Sequence, residues 1–326
     1  MSLAHRFADV NGIRLHYAAA GEGNGRLILF AHGFPEFWYE WKDQLAEFGR
    51  DYLAVAPDLR GYNLSDKPEG VDQYASRHVV ADLRDLAEHL GHRRFTLVGH
   101  DWGGAIAWDF ALTHPELLER LVIINAPHPG IFARELRENR DQQRASLYMR
   151  RFRQPDAERW LAEDDYRRLR ATLLDEGLAR GYFTQADADA YLAAWAQPGA
   201  LTGGLNYYRA MRIAPPAATP SVGEATGEAS FIHDLAPAAV VAPDPADNAA
   251  PRTLREPAAL TVRVPTLVIW GEQDTALLPG NLDGLADYVP DLTLRRIPDA
   301  GHWVVHERPG VVNGYIREFI GSTAGA

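Results

Sequence analysis
The chain has 326 residues, 46% hydrophobic and 24% charged, and contains no cysteine, which excludes disulfide frameworks, thiolate metal sites and cysteine nucleophiles. Its 33 basic and 44 acidic residues leave a net charge of −11, so neither nucleic acid nor a membrane surface is an expected partner. Arg6 and Asp9 interrupt the segment a signal peptide would keep apolar, and no stretch reaches the ~18 apolar residues of a spanning helix, so a cytoplasmic protein is expected.

The chain opens as a hairpin. His5–Val10 and Ile13–Ala19 flank Asn11-Gly12, a dipeptide suited to a two-residue turn with positive φ at both positions. Short apolar runs follow at Leu27–Ala31, Tyr52–Ala56, Phe95–Val98, Leu121–Asn125, Leu267–Trp270 and Leu292–Ile297. Most are apolar on both faces and read as buried parallel strands. Between them, His78–Leu90 repeats apolar residues at three and four and stops at Gly91, as an amphipathic helix does. Alternating strand and helix predicts an α/β fold with a mostly parallel sheet flanked by helices.

The alternation breaks after Asn125. Helix candidates at Gln142–Phe152, Asp156–Leu174 and Gln185–Ala196 precede the next strand, which starts behind Pro265. Residues 214–258 hold eight of the 21 prolines, 13 alanines and a single aromatic, Phe231. Too poor in large apolar side chains to be core, this stretch reads as an extended return strap. The expected organisation is a core over 1–128, a helical cap over 129–213, the strap over 214–258, and the rest of the core over 259–326.

Three motifs carry chemistry. Gly99-His100-Asp101-Trp102-Gly103-Gly104 sits between a strand and a helix, where small residues permit the sharp turn of a nucleophile elbow. The plain alternative for Asp101 is an N-cap. His32-Gly33-Phe34-Pro35 follows the strand Leu27–Ala31 and can offer the Phe34 N–H to an oxyanion hole, with Trp102 supplying a second. Asp274 and His302 each follow a late strand, at the sheet end where such folds place their sites. Nucleophile, acid and base thus occur in that chain order.

These motifs, with Asp58-Leu59-Arg60-Gly61-Tyr62, Asn125-Ala126-Pro127-His128-Pro129 and Gly301-His302-Trp303, resemble the α/β-hydrolase-fold epoxide hydrolases. The likeness covers roughly residues 5–213 and 260–320. It implies an inserted helical cap with two tyrosines that hold the epoxide oxygen. Tyr148, ahead of Gln154-Pro155, matches one; Tyr208, in Asn206-Tyr207-Tyr208-Arg209, matches the other, with Tyr207 as its alternative. Two departures stand out: Asn63 replaces a loop glycine, which Asn tolerates through its access to the left-handed region. Arg150, Arg151 and Arg153 make the segment after Tyr148 basic where the family is often aromatic, which alters the expected pocket wall.

The implied reaction opens an apolar epoxide to a vicinal diol. Asp101 attacks to form an ester; Tyr148 and Tyr208 serve the leaving oxygen; water activated by His302, oriented by Asp274, hydrolyses the ester. Phe34, Trp38, Trp102 and Trp303 suggest an aromatic pocket. No metal or cofactor is expected, since His32, His100 and His302 lack ligand spacing and the chemistry needs none. Two rival readings are a haloalkane or haloacid dehalogenase using the same Asp101, and a non-catalytic ligand-binding protein on this fold. Oligomeric state is not legible.

Overall fold
The structure, a computed structural model, describes residues 3–211, 215 and 257–321. Strands β1 (Ala4–Val10) and β2 (Ile13–Ala20) form the expected antiparallel hairpin, with φ of 46° at Asn11 and 76° at Gly12. The further strands are β3 (Leu27–Ala31), β4 (Leu53–Pro57), β5 (Phe95–His100), β6 (Leu118–Ile124), β7 (Thr266–Gly271) and β8 (Leu292–Ile297). They form one sheet in the order β1-β2-β4-β3-β5-β6-β7-β8. Pairs from β4 through β8 are parallel, and the hairpin joins the edge through an antiparallel β2–β4 pair. β6 starts three residues before the apolar run at Leu121 because Glu119 and Arg120 occupy strand positions that are only partly buried.

Alternate strand residues serve opposite faces, as the pleat requires. Ile28, Phe30, Val98 and Val122 pack with Leu45 and Phe48 of α1 (Lys42–Phe48) and Ile316 of the C-terminal helix Pro309–Gly321. Leu29, Leu97, Leu121 and Ile123 pack with Leu83 and Leu86 of α2 (Ser76–His89) and Ile106 and Phe110 of α3 (Trp102–Thr113). Burying each Leu, Ile or Phe here contributes about 1.5–3 kcal/mol.

β6 and β7 pair directly, Leu121 opposite Thr266, so everything between them is an insertion. It holds α4 (Pro129–Glu138), α5 (Arg140–Ala145), α6 (Leu147–Phe152), α7 (Ala157–Leu169), α8 (Asp175–Arg180), α9 (Gln185–Trp195) and α10 (Ala200–Ala210). The single helix expected over 142–152 divides at Ser146. There Gln142 donates to Ser146 Oγ at 2.9 Å and to the Ala276 carbonyl at 2.8 Å, pinning the break to the core. The helix expected over 156–174 is broken at Glu163–Tyr166, where Asp164, Asp165 and Tyr166 take positive φ, and it ends in a wide π turn over Arg170–Leu174. Except for Pro215, Pro257 and Ala258, the strap at 214–258 lies outside the described residues. Among the described residues no helix is long and apolar enough to cross a membrane.

Candidate active site
Five neighbouring parallel strands deliver the site. His32–Phe34 follow β3, Asp101 follows β5, Asn125 follows β6, Asp274 lies beyond β7 and His302 beyond β8. This is the carboxyl edge, where open α/β sheets gather their chemistry.

Asp101 has φ 49° and ψ −119° and opens α3 without capping it through its side chain, so the N-cap alternative fails. The strained turn lifts the carboxylate above the sheet. Its glycines are steric necessities: a Cβ at Gly103 would stand 2.0 Å from the Ala31 carbonyl oxygen, and one at Gly99 2.4 Å from that of Gly103. The Phe34 amide donates to Asp101 Oδ1 at 2.9 Å. Trp102 follows Asp101 directly as the first residue of α3.

On the other side, His302 Nε2 stands 3.6 Å from Asp101 Oδ2, and its Nδ1 is 2.7 Å from Asp274 Oδ2. Asp274 is fixed in turn. Its Oδ1 accepts the amides of Ala276 and Leu277, both at 2.8 Å, and its Oδ2 accepts Asn125 Nδ2 at 2.7 Å. Asn125, at φ 38°, also accepts the Gly271 amide at 2.8 Å. Asn125 was visible in the sequence only as part of a motif. Its clue is an Asn directly behind a buried strand, where a left-handed turn suits that residue.

Tyr148 on α6 and Tyr208 on α10 face Asp101 from the insertion, ring centroids 6.1 Å apart. With Asp101 they line two cavities at once. The larger, about 460 Å³, is walled by Ile106, Pro127, Phe132 and Met149; the smaller, about 340 Å³, lies against His302, Trp303, Gln273 and Glu307. Tyr207 also borders the larger cavity, but its hydroxyl donates to the Arg60 carbonyl at 3.0 Å, which leaves Tyr208 as the tyrosine turned to Asp101. Asn63 does adopt the left-handed region, with φ 37°.

Two expectations about the walls are corrected. Trp38 borders neither cavity; its ring packs on His5 at 4.9 Å and on Tyr39 at 5.2 Å, outside the site. The arginines after Tyr148 also stay out of the walls. Arg153 holds the carbonyls of Tyr208 at 2.8 Å and Met211 at 2.6 Å, Arg151 pairs with Asp156, and Arg150 reaches the Pro215 carbonyl. Arg153 thereby fixes the end of α10 that carries Tyr208. Phe34, Trp102 and Trp303 do border the cavities; the Trp303 indole donates to the Thr172 carbonyl at 2.8 Å, tying the His302 turn to the insertion.

Electrostatics divide the roles. Burial by itself would raise the Asp101 carboxyl, but the facing imidazole of His302, with His100 and the Phe34 amide, outweighs it and holds the group below the usual range. Burial likewise works against a charged His302, yet Asp274 and Asp101 raise it well above an ordinary histidine. Tyr148 and Tyr208 are pushed well above a free phenol, first by burial and then by the Asp101 charge. These shifts favour a carboxylate at Asp101, an imidazolium at His302 and protonated phenols at Tyr148 and Tyr208.

The family model described as alpha/beta hydrolase fold matches residues 26–309. The chain is 37% identical to the AB hydrolase superfamily protein YfhM of Bacillus subtilis, over 97% of both chains. It is 32% identical to Epoxide hydrolase 2 of Caenorhabditis elegans, over 97% of this chain and 79% of that one. Among solved structures, it resembles a Bacillus megaterium epoxide hydrolase crystallised with an inhibitor, with 37% identity, a TM-score of 0.81, and coverage of 97% of this chain and 100% of the other.

Proposed function
The chain belongs to the α/β-hydrolase fold family, as a hydrolase acting on epoxides, and we propose that it does so through a covalent ester on Asp101. The observation that carries this reading is the division of the Asp101 carboxylate. Oδ1 is held by the Phe34 amide while Oδ2 faces His302. Oδ1 is placed to become the ester carbonyl, and Oδ2 to attack carbon.

An epoxide carbon is saturated, so substitution needs a nucleophile in line with the breaking C–O bond. Asp101 is ionised and needs no base for this step. As Oδ2 bonds to carbon, the leaving oxygen takes hydrogen bonds from Tyr148 and Tyr208 and then a proton from one of them. Alkylation neutralises Asp101. That removes a charge that had raised both phenols and His302, so each releases its proton more readily when the reaction requires it.

His302 sheds its proton, which by way of solvent restores the tyrosinate, and becomes a neutral base. It then takes a proton from the water that attacks the ester carbon. The oxyanion formed at Oδ1 is held by the Phe34 amide, with Trp102 beside it; one such donor contributes about 3–4 kcal/mol. Collapse releases the diol and returns Asp101 and imidazolium His302 to their resting states.

Dehalogenation shares the first step, but halide leaves without a proton and would be met by N–H donors. Here the Trp102 ring packs edge-on against Tyr208 at 5.0 Å, beside a phenolic donor that a halide would not need. The apolar lining favours aryl or alkyl epoxides, and a cytoplasmic enzyme that removes reactive epoxides fits this reading. The test is His302→Gln exposed to styrene oxide. Intact-protein mass should rise by one substrate mass on Asp101, with diol formed by the native enzyme; a variant that turns over at the native rate removes His302 as the base.

A further inference from the structure
Behind the site lies a buried carboxylate that the mechanism above does not use. Glu40 occupies the short 3-10 turn Trp38–Trp41 and is 1% exposed. Its Oε2 accepts the Gly33 amide at 3.1 Å, and its Oε1 stands 2.6 Å from His100 Nδ1. His100, also 1% exposed, reaches the His302 carbonyl through Nε2 at 2.9 Å. The second buried glutamate nearby, Glu36, is taken up by Tyr191 and by His306 at 2.8 Å.

The hydrogens in this chain are assigned by their end partners. The His302 carbonyl only accepts, so His100 Nε2 carries a hydrogen. The Gly33 amide only donates, so Glu40 Oε2 accepts. The contact between Oε1 and Nδ1 then holds one hydrogen of its own. Burial raises the Glu40 carboxyl although His100 opposes it, and the shared hydrogen joins the two side chains whichever of them carries it.

We propose that Glu40 is a positioning residue for ester hydrolysis, clasping the oxyanion loop at Gly33 to the nucleophile turn and the His302 turn through His100. The three segments it joins are those bearing Phe34, Asp101 and His302. Their spacing leaves little slack: a Cβ at Gly33 would already stand 2.5 Å from that of Asp101. A shift of Gly33 moves the next amide, Phe34, off Oδ1. During alkylation that amide only orients a carboxylate. During hydrolysis it must carry a developing oxyanion, so misplacement weighs most on the second step.

This proposal rests on the ester reading, and the experiment separates the two. Single-turnover rapid quench with styrene oxide gives the rates of ester formation and loss, read by intact-protein mass, with His302→Gln as the control that the ester forms at all. Glu40→Leu, similar in size but unable to hydrogen-bond, should slow ester loss about tenfold or more relative to ester formation. Glu40→Gln, whose amide can accept from Gly33 and donate to His100, should restore the native ratio. If Glu40→Leu does not fold, Glu40→Asp, too short to reach both partners, carries the same expectation. With the control adduct present, an unchanged ratio in the Leu or Asp variant, or a Gln variant as impaired as Leu, overturns the clasp while leaving the ester reading intact.

Discussion

His302 and Asn125 share one oxygen: Asp274 Oδ2 meets His302 Nδ1 and Asn125 Nδ2, each at 2.7 Å. The acid that orients the base is therefore itself oriented, and its lone pairs leave His302 Nδ1 as the donor. Asp274→Asn would offer an amide with the wrong hydrogen and disturb the imidazole tautomer. Ester hydrolysis should fall about 10³–10⁴-fold, whereas alkylation persists. Stopped-flow rates with mass detection of accumulated ester check both halves.

Tyr148 and Tyr208 should be separable from Tyr207. Tyr148→Phe and Tyr208→Phe each remove one donor from the leaving oxygen, and each should slow alkylation about 10²-fold, by analogy with loss of one oxyanion donor. The double variant should form no measurable ester. Tyr207→Phe loses only the bond to the Arg60 carbonyl; its alkylation rate should stay native while stability drops by about 1 kcal/mol. Denaturant melts and single-turnover rates decide the assignment.

The two halves should respond differently to acid. Asp101 is held below the usual carboxylate range, so it stays ionised and alkylates in mildly acidic solution. Hydrolysis needs neutral His302, whose pKa is raised and whose neutral fraction shrinks further as pH falls. Lowering pH from neutrality should therefore reduce turnover while the fraction of enzyme present as ester increases. Quenched samples at several pH values, read by intact mass, test this; a constant ester fraction would contradict it.

The insertion is moored by Asp187, at the start of α9, which accepts Tyr39 Oη at 2.9 Å and lies 3.0 Å from Lys42 Nζ. Burial works against its charge, but Thr184, Lys42 and Tyr39 together lower its pKa to about 2. A depressed folded-state value stabilises the fold above the unfolded carboxylate value, near 3.9, and this is lost as pH falls from there towards about 2. Asp187→Asn should lower the melting temperature at neutral pH, and the gap from the native protein should close in acid.

How much of this was legible in the sequence varies by residue. The central sheet strands were, because buried parallel strands are apolar on both faces, and so was the meeting of Asp101, Asp274 and His302 at one sheet edge, because turn, strand end and chain order coincide. Trp38 was misplaced, since an aromatic side chain next to a motif can turn either way; here it packs on His5. The divided helices at Ser146 and Glu163–Tyr166 follow tertiary ties and backbone turns that periodicity does not encode. Glu40 gave no local signal: its partners, Gly33 and His100, become neighbours only when β3 and β5 pair.

The ester on Asp101 is tested most directly by a single turnover in H₂¹⁸O, with enzyme in excess over styrene oxide. The account predicts unlabelled diol, because the added oxygen comes from Asp101, and one ¹⁸O in the peptide that contains Asp101. Labelled diol with an unlabelled Asp101 would show that water attacks the epoxide directly and would contradict the ester mechanism.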